Sequence, residues 1–444
     1  MHSRSSLIII SFLIILVLFS FGSCSGRSLD DQPRLGHHDH GDFMDYLINS
    51  MARIFRLERY LKQEDHDEGK TILNVDDFAA KRNGKLDDTK AFKKAWEKAC
   101  SSKAPAFVVV PPKNYLVRPI KFKGPCKSNL TIQIHGTVEA SDDRSDYNDL
   151  GRHWLLFDGV DNLVLEGCGS GTLNGNGETW WKHSCKLNKS LPCKGAPTAL
   201  TLRKCQKLAV RDLKIKDAQQ IQVSLEHSKH VKVSNLTITA PRDSPNTDGI
   251  HVTDTQDIVI SKCVIETGDD CISIASGSQK VRATDITCGP GHGISIGSLG
   301  SENSEAHVSD VIVRKAKLFR TMNGVRIKTW QGGSGCASNI KFIDFEMHNV
   351  QNPIIIDQNY CDKKKPCKEQ ISAVQVKDVL YQNIKGTSTS DVAIKFDCSK
   401  SFGCEGIVLR DVDLRRKQGD HVAEAFCNNV EFTDIGDVSP LCPR

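Results

Sequence analysis

Between Asn246 and Lys328 the chain carries Asn246-Thr247-Asp248-Gly249, Gly268-Asp269-Asp270-Cys271, Gly291-His292-Gly293 and Arg326-Ile327-Lys328. Asp248, Asp270 and His292 each stand two places before a short β-like run, Ile250–Val252, Ile272–Ile274 and Ile294–Ile296. Those runs start 22 residues apart, and a fourth, Val325–Ile327, starts 31 residues after the third. If successive runs stack as neighbours in a parallel sheet, the acids come within about 5 Å of one another and raise each other's pKa. That arrangement suits glycoside hydrolysis, where one carboxyl gives a proton to the leaving oxygen while another stays ionised. His292 beside them can hydrogen-bond an acid or tune its protonation. Arg326 offers a planar fork for a carboxylate and Lys328 a point charge, so the substrate should be acidic. Aspartate is also an ordinary turn residue, and any one of the three alone reads as a turn cap. Three at neighbouring strand entrances do not.

Stacking requires a repeat, and the chain has one. Leu208–Ile215 recurs as Val231–Ile238 and Ile258–Ile265, with later copies starting at Val281, Val311, Ile340, Val374 and Ile407. The successive spacings are 23, 27, 23, 30, 29, 34 and 33 residues. Strand-built repeats of that length, with no helix between them, predict an all-β, single-stranded right-handed parallel β-helix. A leucine-rich repeat needs a shorter, more regular period, and a propeller needs four strands in each ~40-residue blade. On the stacked strands Ile250, Val252, Val325 and Ile327 should point inward. His251, Ser273, Ser295 and Arg326 then share an outward ladder, with Lys328 one step on. Near the start, Asp88 is a plausible N-cap for one helix whose apolar face is Ala91, Phe92, Ala95, Trp96 and Ala99. Phe107–Val110 and Leu130–Ile134 read as strands.

The ends and the cysteines place the chain outside the cell. Arg4 precedes the apolar run Leu7–Phe21, and small residues follow at 22–26, which is the shape of a secretory signal peptide over 1–24. A signal anchor is the alternative. Residues 25–70 read as a prosegment, with an amphipathic helix over 42–62; a helix docked on the domain is the other reading. The globular domain then spans 71–444. Seventeen cysteines suit an oxidising compartment, with small loops closed by Cys361/Cys367 and Cys398/Cys404. Cys168, Cys205 and Cys263 lie in apolar runs and are expected as buried thiols. No CxxC pair is present, so no zinc site is expected. Asn129, Asn188 and Asn235 open glycosylation sequons. A formal net charge of +5 suits a polyanion, while the export signal and the lack of a dense basic cluster disfavour nucleic acid. The glycine-rich run Gly169–Gly177 lacks the lysine and helix of a phosphate loop and reads as tight turns. Trp180-Trp181 reads equally as a sugar platform or as packing.

Ser244-Pro245-Asn246-Thr247-Asp248-Gly249-Ile250-His251, Thr267-Gly268-Asp269-Asp270-Cys271, Cys288-Gly289-Pro290-Gly291-His292-Gly293-Ile294-Ser295-Ile296-Gly297 and Gly324-Val325-Arg326-Ile327-Lys328-Thr329, in this order, resemble the signature of the polygalacturonases, glycoside hydrolase family 28. The resemblance runs from about Asn74 to Cys442 and is closest to plant enzymes of the endo-acting type, as at Ile354–Cys361. It implies inverting hydrolysis of α-1,4-linked galacturonan in pectin by a secreted, monomeric enzyme of the cell wall that needs no metal or other cofactor. It implies Asp269 as general acid, Asp248 and Asp270 as activators of the attacking water, and His292 as support for the acid's protonation. Arg326 and Lys328 would hold the sugar carboxylate, and Asn246 and Tyr360 would line subsites. Ala79–Gly84 departs from the family's glycine-rich acidic turn, which leaves the first coil in doubt. Exo-acting hydrolysis, a lyase acting on the same polymer, and a non-catalytic pectin-binding wall protein are the rival readings.

Overall fold

The computed structural model describes residues 69–363, 367–417 and 422–443. The apolar leader and the helix expected over 42–62 lie outside them. Among the described residues no helix is long and apolar enough to cross a membrane. Parallel strands form two sheets, of eleven and nineteen strands, around one apolar core. The fold is the parallel β-helix that the repeat predicts.

Six strands of the eleven-stranded sheet carry the site: β1 (Val223–Glu226), β2 (Ile250–Thr253), β3 (Ile272–Ile274), β4 (Ile294–Leu299), β5 (Asn323–Trp330) and β6 (Asn352–Tyr360). Their register runs Val223, Ile250, Ile272, Ile294, Val325, Ile354 on the inward row. All six are fully buried, and each such side chain contributes roughly 1.5–3 kcal/mol over leaving it exposed. The next row is Ser224, His251, Ser273, Ser295, Arg326 and Ile355. A slip of one residue would exchange the rows and bury the arginine, so the apolar row fixes where the chemistry points.

The nineteen-stranded sheet stacks Leu208, Val231, Ile258, Val281, Val311, Ile340, Val379 and Ile407. The copy expected to start at Val374 therefore starts five residues later. Val374 and Val376 are buried too, but they precede a bend at Asp378, whose φ is 55°, and the alternation changes phase there. Val374, just ahead of the long strand Gln375–Ser388, and Val376 on it form an apolar pair in opposite phase to Val379 and Tyr381, and pattern alone cannot rank the two pairs.

Helix α1 (Thr89–Cys100) packs against the first coils with the predicted face, Ala91, Phe92, Ala95, Trp96 and Ala99, buried. Trp96 meets Phe122 at 5.1 Å and Phe157 at 5.7 Å between ring centres. Asp88 holds the N-cap position, but its side chain does not cap the helix. Its carboxylate instead accepts from the backbone N–H groups of Lys81 and Arg82. The departing turn over 79–84 is thus tied down by an acid from the helix start. Among the described residues six disulfides form, including Cys361–Cys367 and Cys398–Cys404 as expected. Cys205 and Cys263 are buried thiols, whereas Cys168 is exposed. It sits between Gly167 and Gly169 at φ 49°, a turn position that an apolar-run reading overlooks.

Candidate active site

Each acid is placed by a turn that leads into its strand. Before β2, Thr247 Oγ1 contacts Ser244 Oγ at 2.7 Å and accepts from Gly268 N–H at 3.0 Å, joining the first two motifs. Gly249 N–H donates to the Asp270 carbonyl at 2.9 Å, and His292 N–H to the Asp269 carbonyl at 2.8 Å. The Cys271–Cys288 disulfide ties the residue after Asp270 to the loop that carries His292. Coils approach so closely here that a Cβ on Gly268 would lie 2.0 Å from the Ser244 carbonyl oxygen, so no larger residue fits.

Two carboxyls sit side by side in different company. Asp270 is 1% exposed and receives three hydrogen bonds. Ser295 Oγ and an Arg326 terminal nitrogen donate to Oδ1 at 2.7 and 2.9 Å, and Lys328 Nζ to Oδ2 at 2.9 Å. Asp269 Oδ1 meets His292 Nδ1 at 2.9 Å, and its Oδ2 accepts from Asn246 Nδ2 at 3.2 Å. Burial raises the Asp269 carboxyl, but the His292 hydrogen bond and charge outweigh it and leave the group below the ordinary carboxylate value.

Asp248 completes the cluster, accepting from Ser273 Oγ at 2.8 Å, while Ser273 Oγ also contacts His251 Nδ1 at 2.8 Å. Asp248 keeps a little accessible surface at the groove floor, yet protein surrounds it densely. Burial, and then the charges of Asp269 and Asp270, raise its carboxyl well above the ordinary value. Burial also lowers the His251 imidazole. Tyr360, at the end of β6, lies with its ring 5.5 Å from Lys328 Nζ and edge-on to Trp330.

All eight candidate residues from the sequence are brought together by these contacts. Arg326 and Lys328, expected on a sugar carboxylate, are here both engaged with Asp270. Ser273 and Ser295 were legible only as an outward ladder; their role as hydroxyl donors to the buried acids follows from the register. Oxygens of Asp269 and Asp270 and a ring nitrogen of His292 lie within 4.8 Å of one another, a spacing a metal ion could span. With two cations already on Asp270, this donor set needs no ion to balance its charge.

A parallel β-helix with clustered carboxyls and cations on one open sheet face defines a class of enzyme that acts on acidic polysaccharides. Residues 100–439 match glycosyl hydrolases family 28, and the chain belongs to that family; it is a glycoside hydrolase. It is 54% identical to a polygalacturonase of Malus domestica, over 97% of this chain and 98% of that one. It is 52% identical to polygalacturonase-2 of Solanum lycopersicum, over 97% and 95%. Among solved structures it resembles the endo-xylogalacturonan hydrolase of Aspergillus tubingensis, with a TM-score of 0.72 and 25% identity over 84% of this chain and 99% of that one.

Proposed function

We propose that this chain is a secreted, endo-acting polygalacturonase that hydrolyses the α-1,4 bonds of de-esterified pectin with inversion. The observation that carries the mechanism is the unequal treatment of two adjacent carboxyls: Asp270 clamped by two cations, and Asp269 bonded only to His292, Asn246 and a backbone N–H. Asp270, held between its two cations, is the carboxylate that acts as base. Asp269 gives its proton to the glycosidic oxygen, which takes the bonding electrons and leaves as a sugar hydroxyl. Water held between Asp270 and Asp248 adds its oxygen to the anomeric carbon and yields its proton to the Asp270 carboxylate, which returns it to solvent. Asp269 then regains a proton from solvent. Burial, and like-charge repulsion from a bound substrate carboxylate, favour the protonated Asp269 that the first step needs. Arg326 and Lys328 divide their charge between Asp270 and the sugar carboxylate, Asn246 orients the acid, and Tyr360 lines the groove.

The test uses the purified mature protein on polygalacturonate, following viscosity and new reducing ends together. Endo hydrolysis gives a steep viscosity drop for each bond cut, with saturated products. A slow drop per bond means exo action. Products absorbing in the ultraviolet mean elimination, and no new reducing ends means no catalysis.

A further inference from the structure

Two loops meet over the sheet face that carries the acids. Lys186 precedes the strand Thr198–Arg203, which pairs with β1, and Asp362 follows β6. One loop thus enters the sheet at the edge where strands begin, and the other leaves it at the edge where they end. Their two strands stand six places apart in the eleven-stranded sheet, about 29 Å at 4.8 Å for each place. Yet Lys186 Nζ donates to both carboxylate oxygens of Asp362, at 2.9 and 2.7 Å. A contact between anchors on opposite edges and six strands apart runs diagonally across the face, over β1 to β5. The acids are tied into the same bridge at both ends. The Tyr360 ring lies 5.5 Å from Lys328 Nζ, and Lys328 holds Asp270. Asn246, bonded to Asp269, lines one cavity together with Cys185 and Lys186. The circuit of contacts closes.

This bridge has firm anchors and a weak join. Cys185 is bonded to Cys193 and Cys361 to Cys367, and each of Cys185 and Cys361 immediately precedes one member of the ion pair. Both charged residues are therefore presented from backbone that a disulfide has already constrained. The join itself lies in water, with the two side chains 45% and 53% exposed. An exposed pair of this kind contributes up to about 1 kcal/mol, roughly fivefold in an opening equilibrium, and salt screens it. A polymer lying along the direction in which the strands stack has to pass beneath the bridge. The interior of a long chain cannot be threaded end-first through a closed ring, so the join must part to admit it and re-form above it. We infer that Lys186 and Asp362 are a latch that keeps the polymer on the acids between cuts and so decides how many bonds are broken in one encounter. This rests on the polygalacturonase reading and adds to it the device that sets the pattern of cutting.

The test compares the wild-type chain with Asp362→Asn, with Lys186→Gln and with the charge swap Lys186→Asp/Asp362→Lys. Long polygalacturonate is the substrate, and an excess of unlabelled polymer limits each enzyme molecule to one encounter with a labelled chain. Labelled reducing ends per encounter should fall about two- to fivefold in each single variant and recover in the swap, while kcat on short galacturonate oligomers stays within about twofold. Wild-type counts in the single variants, or a loss as large on short oligomers, overturn the proposal. Release of labelled polygalacturonate from Asp269→Asn protein, with and without Asp362→Asn, gives the sharper sign. Removing an acid strengthens the hold on a polyanion if charge alone acts, whereas losing the latch speeds release about two- to fivefold. Release that is slower or unchanged overturns the latch. Because this measurement needs no catalysis, faster release in a chain whose wild type makes no cuts keeps the latch and sinks the catalytic reading.

Discussion

Two ladders of small polar residues climb this solenoid and treat charge in opposite ways. At the bends of the nineteen-stranded sheet, asparagine pairs with aspartate of the preceding coil at three places. Asn235 donates to Asp212 at 2.6 Å, Asn339 to Asp310 at 2.6 Å and Asn383 to Asp344 at 2.7 Å, all exposed, with every one of the six in left-handed backbone. Short amide and acid side chains tolerate that backbone, and the amide neutralises the acid by a hydrogen bond in water. At the entrances of β2 and β3 the ladder has acids in successive coils and no amide between them. There the partners are hydroxyls and two buried cations. The stacking geometry is common to both; only the second ladder keeps its charges unsolved by neighbours of its own kind, which is what a proton-transfer site requires.

The contrast breaks most sharply at Asp269. Asp269→Asn should lower kcat by about 10²–10⁴ with little change in Tm, since its side chain is not part of the apolar row. Asp310→Asn on the exposed ladder should leave kcat within about twofold, the usual outcome of a surface change. Comparable losses in the two variants, measured as reducing ends released, would erase the distinction.

Lys328→Ala comes next. It removes one of two cations from a buried carboxylate and one contact to an acidic substrate, so KM should rise and Tm should fall by several degrees, within the few kcal/mol that a broken buried pair costs. An unchanged KM with an unchanged Tm would mean that Asp270 is held by Arg326 alone and that the sugar carboxylate binds elsewhere.

Asp248→Asn should trade activity for stability. A carboxyl raised above its ordinary value takes up a proton on folding, so the native state loses stability as pH climbs from the ordinary carboxylate range through the raised value. Asparagine has no such penalty. The Tm of the variant minus that of the wild type should grow with pH across that window and then level off, reaching a few degrees. A gap that shrinks with rising pH would place the proton elsewhere in the cluster.

Much of this was legible because the sequence itself spaces β2, β3 and β4 at 22 residues, and equal spacing in a solenoid is register. Where spacing varies, legibility ends. The copy assigned to Val374 belongs at Val379 because the chain there carries two apolar pairs in opposite phase, the first beginning ahead of the strand. The clamp on Asp270 was not readable: Arg326 and Lys328 lie 56 and 58 residues on, and whether their heads reach a sugar or an acid depends on side-chain direction. Trp180-Trp181 stayed undivided between platform and packing until burial split them. Trp181 is buried, with its indole nitrogen on the Ala218 carbonyl, and Trp180 is half-buried under the Arg144 guanidinium with its own nitrogen unmet.

The smallest effect is also the most direct test of what separates the ladders. Asn339→Asp writes the charge pattern of the catalytic ladder onto the exposed one, opposite Asp310, without leaving a residue type that left-handed backbone rejects. Two facing carboxylates in water repel by only a fraction of a kcal/mol, and the hydrogen bond from Asn339 is lost with them. Tm should fall by about 1–3 °C at neutral pH and low salt. The repulsive part should vanish near pH 3, where the acids are protonated, and at about 1 M salt, where screening acts within about 3 Å. Between Asp248 and Asp270 salt cannot enter in that way, because the groove floor is packed with protein. If Asn339→Asp proved as costly as leaving Asp270 without its cations, and as deaf to salt, then burial would not be what makes the acids of the groove reactive, and the two ladders would differ only in position.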